Sequence, residues 1–84
     1  MSFLVNPPLA IAVETDLEGI PRHIQGESLI GPVRPVQRWV ADLDWWSRPV
    51  SREYWKVLLR DRLLCEIYRD RELGDAWFVE RVYD

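Results

Sequence analysis

Eighty-four residues suffice for one domain near the lower limit of independent folding, where a core removes only about 60–65% of the unfolded chain's surface from water. Five tryptophans, three tyrosines and two phenylalanines supply that small core with large side chains, so a structural use of most tryptophans is the first expectation. A formal charge of −3, from 14 acids and 11 bases, argues against autonomous, non-specific nucleic-acid binding, and the lone Cys65 excludes an intrachain disulfide or a cysteine-based zinc knuckle.

The opening residues, MSFLVNPP, end in two prolines and read as a flexible arm over 1–8. They lack a basic n-region, and Glu14 and Asp16 interrupt the apolar run that follows. No signal peptide or membrane span is therefore expected, and the cytoplasm is the expected compartment. LAIAVETD alternates, with Leu9, Ile11, Val13 and Thr15 on one side and Ala10, Ala12 and Glu14 on the other, the period of a half-buried strand. DLEG turns the chain at Gly19. IPRHIQ returns as a short strand that Pro21 confines to an edge or to its own first residues, and GES at 26–28 turns again.

Residues 29–46 admit two readings. Pro32 and Pro35 exclude a helix before 35, but Val36, Trp39, Val40, Leu43 and Trp46 then recur at helical spacings. The β-branched and aromatic bias favours a strand over 33–41, followed by a loop holding DLDWWSRP. REYWKVLLRD and LLCEIYRDRE read as two strands joined by a tight turn at Arg60, Asp61 and Arg62. Trp55, Val57 and Leu59 share one face of the first, and Leu63, Cys65 and Ile67 share one face of the second. ELGD turns the chain at Gly74, and AWFVERVYD closes as a further strand. The fold expected is mainly β, with five to six short antiparallel strands in a strongly bent sheet or small barrel of SH3-like or OB-like size, because such a sheet hides its edges best.

Little in the chain supports catalysis. His23 is the only histidine and has no Ser or Asp at a motif spacing, and Cys65 falls on an apolar strand face where a thiol behaves as a small hydrophobe. Asp42, Asp44 and Lys56 form at most a loose acid–acid–lysine set, which a solvated acidic loop matches equally well. The four glycines stand singly, so no phosphate loop is present. No catalytic residue, metal ligand or cofactor is expected. Binding has more material: arginines flank the aromatics, although most stand beside acids (Arg52–Glu53, Arg60–Asp61, Arg69–Asp70) and suit cross-strand ion pairs.

From Trp45 onward the ordered series Trp45, Trp46, Pro49, Arg52, Glu53, Tyr54, Trp55, then Tyr68, Arg69, Asp70, then Trp77, Phe78 resembles the C-terminal segment of ImuB. ImuB is the inactive, Y-family-polymerase-like subunit of bacterial damage-induced mutagenesis cassettes. The whole chain is also similar to a small stand-alone bacterial domain family of unknown function. The resemblance to ImuB covers roughly the last forty residues. It implies an accessory or interaction role near DNA repair or replication, and it assigns no catalytic residue.

Two functions follow as expectations. One is a protein-interaction module, its oligomeric state open, that docks a protein partner through the Trp45–Trp46 region and an exposed sheet edge. The other is a single-strand nucleic-acid binder that stacks bases on aromatics beside arginines. The candidate surface is Trp45, Trp46, Arg48, Arg52 and Tyr54, with one ring of the tryptophan pair expected in the core and the other at the rim.

Overall fold

The computed structural model describes residues 2–45 and 48–83, and their side chains except those of 42–45 and 48–50. Six antiparallel strands run in chain order: β1 Ser2–Thr15, β2 Pro21–Gln25, β3 Ile30–Trp45, β4 Arg48–Leu59, β5 Leu63–Asp70 and β6 Ala76–Tyr83. Each pairs with the next, and β1 pairs with β6, so the sheet closes into a barrel.

The hairpin of β4 and β5 builds the core, and it has the alternation expected from its sequence. Trp55 lies opposite Ile67, Val57 opposite Cys65 and Leu59 opposite Leu63. Val57, Cys65 and Ile67 are wholly buried, joined by Ile24, Val33, Val79 and Val82 from the other strands. Val79 and Val82 are three residues apart, a spacing that simple alternation would send to opposite faces. The β5–β6 register shifts between Glu66 and Ile67, and this bulge resets the phase so that both valines point inward.

Two local expectations are corrected by pairing, and one ambiguity is resolved by it. The segment expected as an arm belongs to β1: Ser2, Phe3 and Leu4 lie opposite Tyr83, Val82 and Arg81. The ladder is interrupted between Leu4 and Leu9, where Pro7 and Pro8 have no N–H to offer. Of the two readings of 29–46, the strand favoured over 33–41 is the one found, since β3 runs from Ile30 to Trp45. The loop expected for DLDWWSRP is instead mostly strand, since β3 runs to Trp45 and β4 starts at Arg48, with the two paired continuously from Gln37–Lys56 to Trp45–Arg48. Asp, Ser and Pro are turn signals taken singly; here the neighbouring strand outweighs them. Pro49 is tolerated because β4 has no β5 partner that far out.

Partners traced round the ring run from Glu14 through His23 to Pro32, from Val33 through Leu59 to Leu63, and from Leu64 through Tyr83 to Ser2. The path rejoins β1 about a dozen residues before it left, so the strands are steeply tilted. As a result β2, five residues long, covers only Ile30–Pro32 of β3. Beyond Arg52–Asp70, the last pair of β4 with β5, β3 and β4 continue alone as a two-stranded ribbon.

Two outcomes follow from this core. Trp55→Ala should cost about 3–5 kcal/mol by thermal or denaturant unfolding, because it empties a buried core site in a small domain. Cys65 is buried, and burial pushes its thiol up to about 11, so a thiol reagent should label it only in denaturant.

Candidate functional site

The candidate surface is carried by the two faces of β4 beyond the core. On the outer face, register aligns one aromatic from each of four strands: Trp39 opposite Tyr54, Tyr54 opposite Tyr68, and Tyr68 opposite Phe78. Trp39 and Tyr54 stack with centroids 5.2 Å apart and planes 2° from parallel. Tyr54–Tyr68 and Tyr68–Phe78 follow at 5.3 Å each. Such contacts add to area burial when cross-strand neighbours are aromatic.

Arg52 lies over this row. Its guanidinium sits 4.5 Å from the centre of the Tyr68 ring, donates to the Tyr54 hydroxyl at 3.3 Å, and pairs with Asp70 at 3.6 Å and Glu80 at 4.0 Å. The Tyr54 bond leads the interactions that hold Arg52 in its charged form more firmly than usual. Tyr68 is only 4% exposed although it faces away from the core. That burial pushes its phenol up, against the partly opposing charge of Arg52.

On the inner face, Glu53 follows the phase of Trp55 and Val57, so it points into the barrel mouth and is 6% exposed. A buried carboxylate needs partners. Arg38 Nε donates to Glu53 Oε2 at 2.8 Å with Arg38 Nη2 at 2.6 Å, and Arg69 Nη2 reaches Oε1 at 3.0 Å. The two guanidinium groups lie above tryptophans, Arg38 at 5.8 Å from the Trp55 ring centre and Arg69 at 6.0 Å from that of Trp77. Burial pushes the Glu53 carboxyl up. The Arg38 bond, the nearby Trp55 Nε1 and the charge of Arg69 outweigh it and hold the group below its ordinary value. Trp55 Nε1 is close enough to favour the charged carboxylate but is itself buried without hydrogen-bond geometry.

Of the residues nominated from sequence, the structure brings Arg52 and Tyr54 together on the outer face. Trp45 and Arg48 are opposite each other as the last pair of the ribbon; their side chains, and all of Trp46, lie outside the described residues. The expected division of the tryptophan pair between core and rim falls on these residues too. Sequence reasoning missed Trp39, Tyr68 and Phe78 as one row, and Glu53 as a clasped acid. Glu53 was readable, being a charged residue two positions before Trp55 on the same face; its arginine partners come from other strands.

Among the described residues the remaining polar sets do not assemble a reaction centre. His23 pairs at 3.7 Å with exposed Glu14 on the β1–β2 hairpin, and Cys65 Sγ faces the Leu63 carbonyl at 3.8 Å. Lys56 lies 5.0 Å over the Tyr83 ring, while the side chains of Asp42 and Asp44 are outside the description. Among the described residues no group of three His, Cys, Asp or Glu could hold a metal ion, and no helix is long and apolar enough to cross a membrane.

No family model, curated protein or solved structure matches the chain. The ordered series that runs from Arg52 to Phe78 nonetheless has a physical explanation within this fold. Arg52 faces Asp70, Glu53 faces Arg69, Tyr54 faces Tyr68, and Tyr68 faces Phe78. The series is largely one set of cross-strand neighbours on three adjoining strands, although Arg52 Nε, Trp55 Nε1 and Arg69 Nε are buried without a hydrogen-bond partner.

The sign of the Glu53 contribution with pH is fixed by its lowered value. The folded state binds this proton less readily than the unfolded chain, so the stabilisation is complete above the ordinary value of 4.5 and is lost as pH falls through the folded value. Glu53→Gln should lower stability by about 1–3 kcal/mol at neutral pH, and should flatten the loss of melting temperature below about pH 5.

Proposed function

We propose that this domain is a non-enzymatic interaction module that takes an extended protein segment along the outer edge of β3. The observation that carries this reading is the mismatch between the two sides of that strand. Toward β4, β3 is paired from Val33 to Trp45; toward β2 it is paired only over Ile30–Pro32. The unpaired side presents backbone donors and acceptors to a strand from another chain. Pro35 and the bulge before Gln37 interrupt its first part, which leaves Gln37–Trp45 as the usable length. Val40 is 42% exposed along it and offers an apolar contact.

The aromatic row supports a protein segment over a single-stranded nucleic acid. Base stacking needs open ring faces. Tyr54 lies between Trp39 and Tyr68, and Tyr68 has Arg52 over its face. The neighbouring arginines are already matched by acids: Arg52 by Asp70 and Glu80, Arg38 and Arg69 by Glu53, and Arg81 by Glu66 at 3.6 Å. The resemblance to the ImuB C-terminal segment adds a setting, an accessory role among bacterial proteins of DNA repair or damage-induced mutagenesis.

The test is selection of binders from a random-peptide display library, followed by amide hydrogen exchange. Selected peptides should protect backbone amides within 37–45, bind with little salt dependence, and weaken by about 1–2 kcal/mol with Val40→Lys at unchanged melting temperature. Peptides that leave those amides unprotected would count against edge docking. Tight binding of labelled oligo-dT, with affinity falling steeply as salt rises, would transfer the function to nucleic acid.

A further inference from the structure

At the end of the barrel away from the ribbon, where β4 turns into β5, two concavities lie side by side. One, of about 550 Å³, is lined by Phe3, Leu4, Val5, Leu9, Leu63 and Val82. Phe3, Leu4 and Leu9 are 52%, 54% and 45% exposed, an apolar concentration that a small domain rarely leaves in water without use. The second, of about 530 Å³, shares Ser28, Leu29 and Leu63 with the first and is rimmed by Arg60, Arg62 and Glu27. The volumes fall within the range of small-molecule sites, and two arginines against one acid leave the rim positive.

The turn that carries these arginines is built against local preference. Arg62 N donates to Leu59 O at 3.0 Å, closing a two-residue hairpin turn. Its central residues, Arg60 and Asp61, both adopt left-handed backbone, with φ of 54° and 55°. Hairpin turns with two such residues ordinarily use Asn-Gly, because a Cβ is unfavourable there. The surrounding structure holds the turn in place. Arg60 N donates to Pro32 O at 2.9 Å, Arg60 Nε donates to Ile30 O at 2.8 Å, and Asp61 pairs with Arg34 at 2.9 Å. Gly31, with φ of 148°, gives the Arg60 side chain room: a Cβ there would come within 2.5 Å of Nε. The guanidinium of Arg60 is thus tied to the β3 backbone through Nε, with its terminal nitrogens left for a further partner. Backbone strain retained beside a cavity is a feature of binding sites.

We infer that this end of the barrel binds a single-chain amphipathic carboxylate, its alkyl tail in the Phe3–Leu9–Val82 concavity and its carboxylate between Arg60 and Arg62. Planar guanidinium groups match a carboxylate better than a point charge does, and the tail supplies the apolar area. The site is independent of the peptide edge proposed above, since it uses neither the ribbon nor the stretch 37–45.

Calorimetric titration with decanoate, decanol and decylamine tests it, with methyl chemical shifts of Leu4, Leu9 and Leu63 as the second readout. Decanoate should bind and shift those methyls, with decanol about tenfold or more weaker and decylamine weaker still. Arg62→Gln and Arg60→Asn should each bring decanoate down toward decanol while leaving decanol unchanged. Leu4→Asp should abolish both. Asp61→Gly should raise the melting temperature and keep decanoate binding, which separates the turn's strain from its arginines. The inference is overturned if decanol equals decanoate, if Arg62→Gln binds decanoate like the parent, or if only vesicles of phosphatidylglycerol and phosphatidylcholine bind while monomeric decanoate does not.

Discussion

The register of β4 against β5 holds the remaining structure in place. A two-residue turn sets it, and a slip of one residue would exchange the faces of every side chain on one strand relative to the other. With the observed register, Trp55, Val57 and Leu59 meet Ile67, Cys65 and Leu63 inside the barrel. The same alignment puts Arg52 on Asp70, Glu53 on Arg69 and Tyr54 on Tyr68. The hairpin's share of the core, its two ion pairs and the middle contact of the aromatic row are therefore three consequences of one alignment. The left-handed residues that make the turn at Arg60 and Asp61 cost some stability locally, and the contacts they align offset it many times over.

A chain this small has few side chains to spare for function, and the structure uses the conspicuous ones on itself. The arginines that suggest a basic surface are matched by acids across strands, which fits the net negative charge better than a phosphate-binding stripe does. The aromatics that suggest a stacking platform turn their faces toward one another. Left over are backbone along β3 and the apolar end of the barrel. The first is a product of steep strand tilt with a short β2, which leaves much of β3 without a second neighbour. Pro32, Pro35 and the bulge that follows limit that edge, as natural sheets do to avoid indiscriminate pairing.

Glu53 shows how the interior tolerates a charge. It occupies the last inward position before the β4 ribbon leaves the sheet, so its carboxylate lies at the barrel mouth, where Arg38 and Arg69 reach it while keeping part of their own surface in water. Deeper in the barrel, desolvation of three charges would outweigh their attraction; at the mouth the Arg38 and Arg69 side chains stay 47% and 31% exposed. The two tryptophans beneath the guanidinium groups, Trp55 and Trp77, close the core under this polar lid.

The meander from Arg52 to Tyr83 was legible from sequence alone, because its signals are local: alternation in REYWKVLL and LLCEIY, and turns at Arg60–Arg62 and Gly74. Ten aromatics in a short chain likewise pointed to a structural use of tryptophan, which Trp55 in the core and Trp77 packed against it fulfil, while the side chains of Trp45 and Trp46 lie outside the described residues. The strand at Ser2–Leu4, the extension of β3 through Asp42–Trp45 and the β4 start at Arg48 were not legible. Their residues favour turns or an arm in isolation, and only a paired neighbour makes them strand. The aromatic row was out of reach for a related reason. Tyr54 and Tyr68 are outward-facing by their own strands' phase, but Trp39 and Phe78 are turned outward by the bulges that separate them from Val33 and Val82, and which outward residues meet depends on three registers at once. Periodicity assigns a residue to a face only between bulges; the turns and bulges decide the rest.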